Sequence, residues 1–145
     1  MSTRRSTIEK REAKYQDTDT FHYYNANPQG NFCCDCVARA ISYATGSTWA
    51  DTIRDMTEYA ITKGTVFNDP KFVKRYLKHL GWTKHKEPRD ILNMKMSARE
   101  FLRDNRLPMA IANLGSHHIV AIEDSKVVDS WDSSFQTMHC YWTLD

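Results

Sequence analysis

No apolar run in this 145-residue chain approaches the roughly 18 residues that a membrane-crossing helix needs. The first twenty residues, MSTRRSTIEKREAKYQDTDT, hold no apolar core, so they do not read as a secretory leader. Charge of one sign is also scarce. A formal net charge of +2 is too small to argue for nucleic acid or an anionic membrane as partner. There is no internal repeat and no low-complexity segment. What is left is an ordinary globular composition, long enough for one domain with a real core. The expected setting is the cytoplasm, where disulfides are disfavoured.

Basic residues gather at Arg4, Arg5, Lys10, Arg11 and Lys14, and again between Lys71 and Lys86. The second group accompanies apolar Phe72, Val73, Tyr76, Leu77 and Leu80 at helical spacing. A solvated helix face explains it better than a phosphate-binding stripe.

Residues 1–20 are polar without a clear period, and read as a loose arm or a frayed helix. Residues 21–145 read as a single domain. FHYYNANPQGN is extended and then turns at Pro28 and Gly30. A helix is expected from Cys36 to about Thr45, capped by Asp35 and ended by Gly46, with Val37, Ala40, Ile41 and Ala44 inward. Thr48 should cap a second helix with Trp49, Ile53, Met56, Ala60 and Ile61 inward. Pro70 should open a third, closing at Gly81. Ser97 and Glu100 form a capping box for a fourth. The pattern then changes to short β-rich runs: PMAIANL, HHIVAIED, KVVDSWD and TMHCYWTL. Glu123 to Lys126 reads as a tight hairpin connection. Helices first and a mainly antiparallel sheet last make an α+β fold.

Cysteine is sparse too, four in all, yet Cys33, Cys34 and Cys36 fall within the one stretch NFCCDCVARAIS. A thiolate is a nucleophile, and the N-terminus of a helix stabilises negative charge. Cys36 stands at that place. Asp35 opposes it, because a neighbouring carboxylate raises a thiol's pKa, unless its side chain is occupied in capping. The plain alternative for any free cysteine is a small inert core residue. Zinc is a second chemistry, with Cys33, Cys36, His139 and Cys140 as ligands, but His139 and Cys140 point to opposite faces of a strand. A redox role for the CxxC at 33 and 36 lacks the βαβ unit that such a motif follows. No metal and no cofactor are expected.

A nucleophilic cysteine needs a base. His118 opens the strand HIVAIED, with Val120 and Ile122 on its face and Ile119 and Ala121 on the other. Asp129 ends the next strand. Across a hairpin turning near Asp124 and Ser125, the two side chains lie within reach of each other. His117 competes with His118, and Asp132 with Asp129. Trp131 reads as a lid or core aromatic.

This order resembles the papain-like cysteine peptidases. DSWD at 129–132 resembles their NSWG element, which puts Asp129 where their orienting Asn stands. HIVAI resembles the strand that carries their histidine, which favours His118. DCVARAI resembles the DCG helix start of bacteriocin-processing peptidase domains, which use Asp as third member. The set DCVARAI, YLKHLGW, SHHIV and DSWDSS also resembles small stand-alone proteins of bacteriophage genomes. The resemblance covers about residues 26–142. It implies a papain-like fold and a thiol-dependent hydrolase with Cys36 as nucleophile, His118 as base and Asp129 as orienter, acting on a peptide or amide substrate. The family's oxyanion-hole Gln usually stands six residues before the cysteine. Gly30 is there, flanked by Gln29 and Asn31, either of which would supply the amide. The surroundings also lack the family's GSCW. A second reading is a catalytically silent binding or inhibitor protein of phage origin on the same scaffold.

Overall fold

The structure is a computed structural model that describes the backbone of residues 3–145 and the side chains of residues 9–145. Met1, Ser2 and the side chains of Arg4 and Arg5, part of the expected arm, lie outside the described residues. Thr3–Lys14 forms helix α1. The other helices are α2 (Cys36–Thr45), α3 (Trp49–Lys63), α4 (Phe72–His79) and α5 (Ala98–Asp104). The strands are β1 (Phe21–Tyr23), β2 (Thr83–His85), β3 (Met109–Leu114), β4 (His118–Glu123), β5 (Lys126–Asp129) and β6 (Met138–Thr143).

The strands build one sheet in the order β1-β5-β4-β3-β6-β2. Every pair is antiparallel except β1 with β5, which run parallel with Phe21 opposite Val127 and Tyr23 opposite Asp129. The fold is α+β, as the helix-then-strand order implied. The β4–β5 hairpin turns at Asp124 and Ser125, both at positive φ (48° and 62°), which suits a two-residue connection between twisted strands.

Alternation sorts the strand residues between two cores. Ile119, Ala121 and Val128 face α2, α3 and α4 and join Ile41, Met56, Phe72 and Tyr76. Val120, Ile122 and Val127 face the other way and pack with Ala98, Phe101 and Leu102 of α5. The sheet is therefore covered on both faces, which explains why β4 is apolar along nearly its whole length.

Helix α2 has the bounds its pattern implied. Gly46 closes it in the left-handed conformation at φ 72°. Thr48 caps α3 by accepting from Asp51 N–H, and Ser97 with Glu100 makes the full capping box; each such cap contributes about 1 kcal/mol.

Four expectations need correction. Asp35 sits at the N-cap position of α2 but makes no side-chain cap bond, because its carboxylate is drawn to Arg39 and Trp49. Ile61 is 77% exposed rather than inward, since α3 turns that side away from the sheet. The third helix begins at Phe72, two residues after Pro70, because the Asp69 carboxylate holds Lys71 N–H in a preceding turn. The inward stripe of α2 is Ala38, Ala40, Ile41 and Ser42, with Val37 and Ala44 only half-buried. The basic residues of α4, Lys74, Arg75 and Lys78, are exposed, which fits a solvated face. No helix among the described residues is long and apolar enough to cross a membrane.

Candidate active site

Helix α2 points its N-terminus at the beginning of β4, and this brings Cys36 to His118. Cys36 sits where both the His118 imidazole and the Ile119 N–H act on its thiol. On the far side of the ring, His118 Nε2 lies 2.5 Å from Asp129 Oδ2. A carboxylate oxygen accepts, so Nε2 carries the proton there. Nδ1 is then the nitrogen left to face the thiol. Ala121 pairs with Val128, so continuing the register sets Val120 opposite Asp129. His118 is thus the diagonal neighbour of Asp129 on the same sheet face, within the reach of two medium-length side chains.

Asp129 is buried, and its carboxylate is saturated with donors. Oδ2 also accepts from the Ser133 hydroxyl at 2.7 Å. Oδ1 accepts from the Ser130 N–H at 2.7 Å and from Arg39 Nη1 at 3.4 Å. The turn after β5 therefore holds the carboxylate from several directions. Trp131 lies over the imidazole, ring centres 5.0 Å apart, and so acts as a cover.

The competing residues fall elsewhere. His117 is exposed. Asp132 accepts from the Ser134 N–H and hydroxyl and lies 3.9 Å from Arg99, closing the turn rather than meeting His118.

Electrostatics separates Cys36 from Cys33. Burial pushes the Cys36 thiol up, but the bonds from His118 and Ile119 N–H, with the charges of His118 and Arg39, outweigh it and hold the thiol below its ordinary value. Burial and the Asp35 carboxylate push the Cys33 thiol the other way, up. For His118, burial works against charge, while Asp129 and Cys36 favour it more strongly and push the imidazole up to about 9. The pair is thereby biased toward thiolate and imidazolium.

Behind the thiol the structure is nearly closed, with a space of about 10 Å³ between α2, β4 and β5. On the other side of the helix start, a pocket of about 150 Å³ is lined by Cys34, Val37, Ala38, Met56 and Phe67, with Asp35 at its edge. Larger depressions along α3 have no cysteine in their walls.

The loop before α2 is less tightly built. Gln29 is exposed and Asn31 half-buried, and the bonds recorded for them run through their backbones: Gln29 N–H donates to Asn27 Oδ1 and Asn31 C=O accepts from Asn25. The buried amide of this loop is Asn27, whose Nδ2 lies 3.8 Å from Cys33 Sγ. The four candidate zinc ligands are dispersed: Cys33 is exposed, Cys140 lies in the core on the α2–α4 side of the sheet, and His139 is 3.5 Å from Glu87.

Sequence reasoning missed Arg39 and Ser133. Arg39 lies one turn beyond Cys36, and an arginine amid Val37, Ala38, Ala40 and Ile41 was the available signal. Ser133 carried none. No protein-family model, curated protein or solved structure matches this chain.

Proposed function

We propose that this chain is a thiol-dependent hydrolase of papain-like type that cleaves a peptide or amide bond. The observation that carries the reading is the placement of His118 between Cys36, whose thiol it acts on, and Asp129, whose Oδ2 lies 2.5 Å from His118 Nε2. Helix α2 and the sequence-distant β4–β5 hairpin supply it.

In this reading the Cys36 thiolate attacks the carbonyl carbon, forming a C–S bond as the carbonyl electrons move to oxygen. The oxyanion is received by the Cys36 N–H and by a side-chain amide from Asn31 or Gln29. Asp35 leaves the first-turn N–H groups of α2 uncapped, which suits that task. The oxyanion then collapses, the C–N bond breaks, and His118 passes its proton to the departing amine. Water, losing a proton to His118, attacks the thioester; the acid product leaves and Cys36 is restored. Asp129 keeps Nε2 protonated and the ring aligned throughout. The pocket beside Cys34 and Val37 suits an apolar group of the substrate next to the reacting carbonyl. The setting is the cytoplasm, that of the host if the chain is phage-encoded.

Brief iodoacetamide treatment near neutral pH, followed by peptide mapping, tests the nucleophile. Cys36 should label first of the four cysteines. Faster labelling of Cys33 or Cys34 would overturn the assignment.

A further inference from the structure

Resting on that reading, we infer that Arg39 is a positioning residue whose charge lets an aspartate serve as the third member beside a thiolate. Asp129 and Asp35 are both buried, with side chains 3% and 7% exposed, and both lie close to Cys36. Two uncompensated carboxylates there would work against a thiolate. Arg39, 13% exposed, stands between them. Its Nε is 3.0 Å from Asp35 Oδ1, although that N–H is not aimed squarely at the oxygen. Its Nη1 reaches Asp129 Oδ1 at 3.4 Å and Ser130 Oγ at 2.5 Å.

Arg39 therefore acts in two ways. It offsets Asp35, the carboxylate that directly precedes Cys36 in the chain. It also engages one oxygen of Asp129 and leaves the other to His118. The contacts with Asp35 and Asp129 hold the guanidinium one helical turn behind the thiol, where its charge favours the thiolate directly as well. Other ionisable groups face this cluster: His118 from β4, Cys33 from the loop, Tyr23 from β1, and Arg11 from α1, which donates from Nε to the Ser130 carbonyl at 3.0 Å. Of these, His118 and Arg11 carry positive charge; Arg11 is held on the Ser130 carbonyl, while His118 acts on the thiol as its own partner.

The test is the pH dependence of Cys36 alkylation by iodoacetamide in the folded protein. In Arg39→Gln the acid limb of the profile should move up by about one pH unit. Arg39→Lys, which keeps the charge, should return it most of the way. In an Asp129→Asn background the Arg39→Gln shift should shrink, because one of the two carboxylates is gone. Asp35→Asn moves the limb down and serves as the readout if Arg39→Gln does not fold. An unmoved limb in folded Arg39→Gln, or equal shifts in Gln and Lys, would overturn the inference while leaving the proposed function intact. A wild-type Cys36 that titrates as an ordinary thiol would instead overturn the function.

Discussion

Two segments flank the candidate nucleophile, and they are built differently. The turn after β5, residues 129–134, buries Asp129, Ser130, Ser133 and Ser134 and bonds each of them. The loop before α2, residues 25–34, buries only Asn27 and leaves Phe32, Cys33 and Cys34 exposed. The side that carries His118 and Asp129 is thus bonded from several directions, while the loop proposed to receive an oxyanion is held chiefly by the Asn25 and Asn27 turns. Pre-formed order matters most where a proton must be passed in one direction. An amide that meets charge only during reaction tolerates more freedom, at some loss of preorganisation.

The sharpest way to break this contrast is Asp129→Ala. It should lower turnover by about two or more powers of ten. It also strands Arg39, His118 and Ser133, so it should destabilise the fold by roughly 3–5 kcal/mol in chemical denaturation. Asp129→Asn should retain more of both, since it still accepts from His118. If Asp132→Ala proves the slow variant and both Asp129 variants match wild type, the orienting role moves to Asp132.

The loop side should respond in turnover alone. Of Asn31→Ala and Gln29→Ala, the one that removes the oxyanion donor should lower kcat by about a hundredfold. Iodoacetamide labelling of Cys36 should stay unchanged in both, because that displacement builds no oxyanion. A fall in labelling would show that the loop also orders the thiol, and the contrast would fail.

The pH dependence sharpens the pair itself. Turnover should rise with the Cys36 thiolate, below the ordinary thiol range, and fall as His118 loses its proton near 9. Stability follows linkage. The folded His118 value lies above its unfolded one, so its contribution is full below about 6.5 and is lost as pH rises through about 9. Cys36 is depressed, so its contribution is present above the unfolded value and is lost as pH falls through the folded one. Denaturant midpoints across pH 5–10 in wild type and Cys36→Ser separate the two.

The smallest effect is expected from Ser133→Ala, which removes one of several donors to Asp129. It should cost about 1 kcal/mol and slow Cys36 labelling only a few-fold. A loss as large as that of Asp129→Ala would mean that one hydroxyl, not the saturated set, holds the carboxylate.

Much of this site could be read before any coordinates. Period and Gly46 bounded α2, alternation set the face of His118, and the Glu123–Lys126 turn brought Asp129 within its reach. What escaped depends on choices between competing partners. Asp35 had both a cap to make and Arg39 to meet, and composition does not reveal which wins. Arg39 was legible only as a charge out of place. Strands β1 and β2 have three residues each, too few for a period to register, and their partners lie far along the chain. Ile61 misled because helical spacing reports a face, not what covers it.

The parallel pairing of β1 with β5 has a consequence for timing. Tyr23 stands opposite Asp129, and Tyr24 N–H donates to the Asp129 carbonyl at 2.9 Å. The backbone of the residue that holds His118 is therefore anchored by a strand far earlier in the sequence. Closing so long a loop is entropically costly and comes late in folding. On the ribosome, Cys36 emerges long before β5 exists to complete its surroundings. Until His118 and β5 are made, the thiol stands without the neighbours that surround it in the folded chain.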